Sequence, residues 1–279
     1  MRILFALTLL IILYVAKAQP VKLYETDTLF KAPESVVYDP LRNLLYVSNY
    51  TEPLKEGSSY GRHSISKVDL NGNIIEQEWI TGLSCPTGIT IYMDKLYIVE
   101  RFGVVVYNLS THTVDKKHYI KTTDFLNDIT ISPEGTIYVS VSGTNRIYRI
   151  EDERVEVWLD HDSIPNPNGL LYHNSTLYAA TIGDGSVKNI DPENKRITTV
   201  CYVGEGTLDG IQDCGNGLLV SIFQGNLYWV STDGTKTELL NTRDDKTFLA
   251  DFEYIQSKEL LIIPALWNNK LLFYSYNPE

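Results

Sequence analysis

Cysteine is scarce in this chain of 279 residues: Cys85, Cys201 and Cys214 are too few for a disulfide framework, and their spacing does not suit a metal site. Cys201 and Cys214 could pair in an oxidising compartment, or all three could be buried thiols. Positive charge is also in deficit, with 24 Lys and Arg against 35 Asp and Glu and a net charge of −11. Such a surface argues against nucleic acid and anionic membranes as partners. Helix-period segments are missing, and past residue 15 no apolar run is long enough to span a bilayer. From about residue 30 onward no Pro-, Gly- or Ser-rich linker interrupts the chain, so residues 19–279 read as one domain.

The N-terminus is different in character. Arg2, an apolar run from Ile3 to Val15 and Ala16-Lys17-Ala18 form the pattern of a secretory signal peptide over residues 1–18. Cleavage near Ala18 would send the mature chain to the cell exterior or periplasm, with no stable membrane anchor. The alternative, an uncleaved anchor, is disfavoured because the run is shorter than the roughly 20 residues a spanning helix needs. Asn49-Tyr50-Thr51, Asn108-Leu109-Ser110 and Asn174-Ser175-Thr176 would accept glycans in a eukaryotic secretory pathway.

What the chain has in abundance is repetition. Pro33-Glu34-Ser35, Pro86-Thr87-Gly88, Leu126-Asn127-Asp128, Pro167-Asn168-Gly169, Leu208-Asp209-Gly210 and Leu249-Ala250-Asp251 each precede an apolar alternation and a second strand signal. Their middle residues are spaced by 53, 40, 41, 41 and 41 residues. A period of about 40 built from short strands means propeller blades of four strands. The prediction is an all-β, six-bladed propeller with four-stranded blades, closed by the N-terminal strand, Val21 to Leu29, as the outer strand of the last blade. Reversals are expected at Asp69-Leu70-Asn71-Gly72-Asn73, Ser132-Pro133-Glu134-Gly135 and Thr232-Asp233-Gly234. The long first step places an insertion at Tyr50 to His63, over the channel mouth, either a polar lid or a neutral addition.

In a propeller the residue opening each innermost strand lies near one mouth of the central channel, so Glu34, Thr87, Asn127, Asn168, Asp209 and Ala250 form a ring. Four offer oxygen ligands, two of them anionic, and converging carboxylates repel unless a cation sits between them. An all-oxygen set predicts one divalent cation, Ca2+ ahead of Mg2+, Mn2+ or Zn2+. The alternative is that Asn and Asp merely suit a tight turn entering the strand, which accounts poorly for Glu34. Strand b-to-c residues should complete the mouth, with Thr87, Arg101, Phe125, Phe223 and Trp267 lining a partly apolar substrate site. The five histidines, His63 among them, show neither i, i+4 pairing nor ring placement and read as surface or loop residues. Asp128 and Asp251 are expected to bond neighbouring amides. Gly183-Asp184-Gly185-Ser186 reads as a b-to-c turn rather than a phosphate loop.

Pro33-Glu34-Ser35-Val36-Val37-Tyr38-Asp39-Pro40, Asn127-Asp128-Ile129, Pro167-Asn168-Gly169-Leu170 and Leu208-Asp209-Gly210-Ile211 resemble the signature segments of the senescence marker protein, gluconolactonase and luciferin-regenerating enzyme-like family of six-bladed propellers. The resemblance covers nearly all of the mature chain. It implies Glu34, Asn168 and Asp209 as metal ligands, with Asn127 as the fourth. The set is also similar to the catalytic calcium site of squid-type diisopropylfluorophosphatase and of paraoxonases. Phe125 stands where sugar-lactone hydrolysing members carry an Arg, and Thr87 where paraoxonases carry a His. The expectation is a Ca2+-dependent lactonase acting on a small-molecule lactone or ester, with Asp209 as the catalytic carboxylate. A phosphotriesterase or other esterase using the same ring, and a noncatalytic binding propeller with a structural metal, are the alternatives.

Overall fold

The computed structural model describes residues 18–50 and 63–278. Residues 1–17 of the expected signal peptide and 51–62 of the expected lid lie outside the described residues. Blade 1 is β2 (Pro33–Asp39), β3 (Leu44–Asn49), β4 (Ser64–Asp69) and β5 (Ile74–Ile80), and blade 2 is β6 (Ile89–Tyr92), β7 (Lys95–Glu100), β8 (Gly103–Asn108) and β9 (Thr113–Tyr119). Blade 3 is β10 (Phe125–Ile131), β11 (Ile137–Ser142), β12 (Arg146–Glu151) and β13 (Arg154–Asp160), and blade 4 is β14 (Pro167–His173), β15 (Thr176–Thr181), β16 (Ser186–Ile190) and β17 (Ile197–Tyr202). Blade 5 is β18 (Leu208–Asp213), β19 (Leu218–Ile222), β20 (Asn226–Val230) and β21 (Lys236–Asn241). Blade 6 is β22 (Glu253–Ile255), β23 (Leu260–Ala265) and β24 (Lys270–Ser275), with β1 (Val21–Glu25) as its outer strand.

Each blade is a four-stranded antiparallel meander, and the six sheets are the expected six blades. The closing strand is shorter than expected: it pairs over Val21–Glu25, and Thr26 continues the seal through its amide to the Leu271 carbonyl. The predicted reversals all form, Asp69–Asn73 and Thr232–Gly234 between the two outer strands of their blades and Ser132–Gly135 between the two inner ones.

Apolar residues fill the gaps between blades, because alternate side chains on a strand point to opposite faces of its sheet. On β11, Val139 and Val141 join the core between blades 2 and 3, while Tyr138 joins the core between blades 3 and 4. Such a cluster lies between every pair of neighbours around the ring, ending with Ile262 and Phe273 of blade 6 against Val36 and Leu45 of blade 1. This radial stacking leaves the innermost strands to surround a central channel. Cys85, Cys201 and Cys214 form no disulfide. Among the described residues no helix is long and apolar enough to cross a membrane.

Candidate metal centre

Four of the six ring residues, Glu34, Asn127, Asn168 and Asp209, sit where the innermost strand slips against its neighbour. In blade 3, Leu126 pairs with Val141 and Ile129 with Val139, so Asn127 and Asp128 together oppose Ser140. Blade 5 repeats the pattern with Asp209 and Gly210 opposite Ser221, blade 4 with Asn168 and Gly169 opposite Ala180, and in blade 1 Glu34 is the extra residue between Pro33 and Ser35. Two residues against one is a β-bulge, which leaves an amide unpaired and re-aims a side chain. A serine on the second strand accepts the freed amide in three blades: Ser35 N–H donates to Ser48 Oγ at 2.9 Å, Asp128 N–H to Ser140 Oγ at 2.9 Å and Gly210 N–H to Ser221 Oγ at 2.8 Å. These serines are fully buried, and the Val-Ser pairs 47–48, 139–140 and 220–221 were a readable signal that the sequence reading missed.

The glycines of Asn168-Gly169 and Asp209-Gly210 are not turn glycines. None of these four residues has a positive φ. A Cβ on Gly169 would stand 2.0 Å from the Asp209 carbonyl oxygen, and one on Gly210 would stand 2.6 Å from Asp251 Oδ1. The innermost strands therefore approach too closely for any side chain, and the turn explanation of these motifs fails.

Glu34, Asn127, Asn168 and Asp209 are all buried, with 3 to 8 % of their surface exposed. Asn168 Nδ2 donates to Asp209 Oδ1 at 3.1 Å and to the Leu208 carbonyl at 2.9 Å, which fixes the amide and leaves Asn168 Oδ1 buried without a hydrogen-bond partner. Glu34 Oε2 is likewise buried and unpartnered. Asn127 Nδ2 donates to Ser142 Oγ at 3.0 Å. Thr87 is buried with its hydroxyl turned to the Leu126 carbonyl, and Ala250 offers no ligand.

The ring is crowded with acid. Burial, and after it the charges of Asp209, Asp251 and Asp128, push the Glu34 carboxyl well above the usual carboxylate range. Burial and Asp251 push Asp209 up to about 8, against the opposing Asn168 hydrogen bond. Asp128 is raised by burial and by Asp251, although it accepts from the Ile129 and Leu170 amides as expected. Asp251, raised by burial to about 6, accepts from the Ser35 hydroxyl at 2.7 Å and from the Phe252 amide. Glu253, which the sequence reading passed over, is raised by burial to about 7 and accepts from the Tyr38 amide at 3.0 Å. Among the described residues no Lys, Arg or His is a main influence on any of these five.

Among the described residues no three His, Cys, Asp or Glu side chains form a metal cluster by themselves. The set that fits a cation is mixed. It contains two carboxylates and two amides, all oxygen, two of whose atoms are buried and unsatisfied, and a hard divalent ion such as Ca2+ matches that chemistry.

The expected lining residues divide into two groups at the mouth. Arg101 and Phe125 lie on one side and share a cavity of about 590 Å³ with Tyr50, Phe102 and Leu126. Phe223 and Trp267 lie on the other, ring centroids 6.4 Å apart and edge to face. Between these sides a small apolar cluster of Ala32, Ala250 and Leu266, with Tyr50 and Phe223 against it, dries the rim. Asp184 of the expected b-to-c turn is bound into its own blade by Thr181, Ser186 and Lys188.

No family model matches the chain, and no curated protein matches it in sequence. Solved structures do match. A candidate gluconolactonase aligns with a TM-score of 0.71 at 13 % identity over 93 % of this chain and 92 % of that one. The calcium-binding protein regucalcin from Agrobacterium tumefaciens aligns at 0.67, with 15 % identity over 94 % and 96 % of the two chains. Virginiamycin B lyase from Staphylococcus aureus aligns at 0.65, with 11 % identity over 93 % and 99 %. At such identities the likeness is one of fold, and at that level the resemblance read from the four short segments holds.

Proposed function

We propose that this chain is a divalent-metal-dependent hydrolase that opens cyclic esters at the mouth of its central channel. Glu34, Asn127, Asn168 and Asp209 would hold the ion, Ca2+ by preference. The observation that carries the reading is the pair of buried, unpartnered oxygens, Glu34 Oε2 and Asn168 Oδ1, inside a ring of acids in which no cationic side chain is found among the described residues. A bound Ca2+ supplies Lewis-acid polarisation of a carbonyl and neutralises the ring. Asn168 orients Asp209 through the 3.1 Å hydrogen bond, and Asp209 takes the proton of the attacking water. Glu34 contributes charge. Asn127 and Asn168 add direction without adding charge. A lactone suits such a site because its leaving alkoxide stays tethered and needs no strong acid.

Phe125 stands where an Arg would recognise a polyhydroxylated sugar lactone, and with Phe102 and Tyr50 it gives one side of the mouth an aromatic wall. This supports aliphatic or aromatic lactones over polyhydroxylated sugar lactones. The proposal includes export: the segment ending at Ala18 would be removed and the enzyme would act outside the cytoplasm.

Proton release on a panel of aldono-, aliphatic and aromatic lactones tests the reading, with Ca2+ or chelator and with Asp209→Asn as control. Turnover on the apolar lactones that is lost in both controls is expected. Activity on phosphotriesters alone would move the site to that class, and turnover that persists in chelator would contradict the metal role.

A further inference from the structure

His63 and Cys85 meet at the mouth beside the ring. His63 immediately precedes β4, and Cys85 lies on the loop into β6; the thiol sulfur is 3.7 Å from His63 Nε2. The other ring nitrogen, Nδ1, lies against the Tyr50 carbonyl oxygen. A carbonyl can only accept, so Nδ1 carries the proton and Nε2 turns its lone pair to the thiol. Cys85 itself holds a φ of 51°, a left-handed conformation uncommon for a residue with a Cβ. Base, thiol and orienting oxygen are thus in line, and they open into the 590 Å³ cavity walled by Tyr50, Phe102 and Phe125 with Arg101 at its edge.

The thiols of the other two cysteines donate to carbonyls of their own blade. The Cys201 thiol donates to the Tyr202 carbonyl at 3.4 Å and the Cys214 thiol to the Gly217 carbonyl at 3.1 Å. Both are buried.

We propose that Cys85 and His63 form an activated thiol that exchanges with small carboxylate-bearing disulfides, seating the captured half in this cavity. The sulfur attacks one sulfur of R–S–S–R′, His63 Nε2 takes the thiol proton and passes it to the departing R′–S⁻, and the products are Cys85–S–S–R and R′–SH. Electrons balance without an external oxidant. Burial raises the Cys85 thiol, Arg101 opposes that and Glu100 adds to it, so the resting group is a thiol whose proton leaves as the bond forms.

Disulfide exchange asks less of the site than acyl transfer, which needs several donors on a tetrahedral oxyanion, and four backbone amides around Cys85 are already engaged. The Ser84 amide already donates to Glu100, Thr87 to the Val99 carbonyl, Gly88 to the Asn127 carbonyl and Arg101 to the Ser84 carbonyl, while Pro86 has no N–H. Exchange at sulfur needs no such hole. Arg101, set against Asp124 in the same lining, selects for a negative partner.

The test is independent of the metal and of the hydrolase reading, and runs in chelator. The reduced full-length protein is mixed with dithiodipropionate or with cystamine, anionic and cationic disulfides of similar size, and adducts are followed by intact mass and peptide mapping. A single adduct at Cys85 is expected, faster with dithiodipropionate, and slowed about tenfold or more in His63→Gln. Arg101→Ala should remove the preference between the two probes. Equal reaction of Cys201 or Cys214 in the wild-type chain, or an unchanged rate in folded His63→Gln, would overturn the proposal.

Discussion

At the scale of single residues the ring is an electrostatic conflict that a bound cation would resolve. In the unfolded chain Asp209, Asp251 and Glu253 titrate near roughly 4, whereas in the fold burial raises them to about 8, 6 and 7. The folded state therefore binds more protons than the unfolded state between those limits, and the stability this gives is lost as pH rises through the folded values. His118, lowered by burial, works the other way but is one group against three. Urea unfolding in chelator should show stability falling from pH 5 to pH 8, and saturating Ca2+ should flatten that fall. Stability that rises over this window without metal would mean that the acids are not buried as described. Glu34, Asn168 and Asp209 were legible in the sequence because they recur in register, each leading an apolar alternation. Glu253 lies in no ring position and its burial depends on packing, so no local pattern marks it. His63 and Cys85 are equally silent, because they come from loops of different blades that meet only when blades 1 and 2 pack together.

At the scale of the element, the bulge is the device that aims the ring side chains. Gly169→Ala would drive a methyl into the Asp209 carbonyl oxygen, 2.0 Å from the ideal Cβ position, and would force blades 4 and 5 apart. A loss of roughly 3 kcal/mol or more in urea is expected. Ser140→Ala leaves the Asp128 amide without its acceptor in a fully buried position, and about 1–3 kcal/mol should be lost. A loss below about 0.5 kcal/mol for either would show that the strand openings tolerate rearrangement. The strands themselves were readable because β-branched and aromatic residues alternate within them. The slip in register was not, since a bulge changes pairing by one residue and leaves the composition of the strand unchanged.

At the scale of the whole molecule, each interblade core is shared, so no blade buries its faces alone and closure matters. The seam is β1 on β24. Tyr24 stacks on Phe273 with centroids 4.6 Å apart and its hydroxyl donates to the Leu70 carbonyl of blade 1, which ties the seam to the neighbouring blade. Tyr24→Ala should cost about 2 kcal/mol by lost burial and stacking, read as a lower urea midpoint; an unchanged midpoint would mean that β1 is dispensable. The number of blades and the closure followed from the 41-residue period, which survives because every blade solves the same packing problem. The extent of β1 did not follow, because Asp27 to Leu29 continue the polar and apolar mixture of the strand without pairing to β24.

The central claim is that the ring is a cation site, and calorimetric titration of the chelator-treated protein with Ca2+ tests it most directly. One ion per chain, proton release on binding at pH 7, and loss of binding in Glu34→Gln with the fold retained are expected. No binding in the wild-type chain, or binding unaffected by Glu34→Gln, would contradict it.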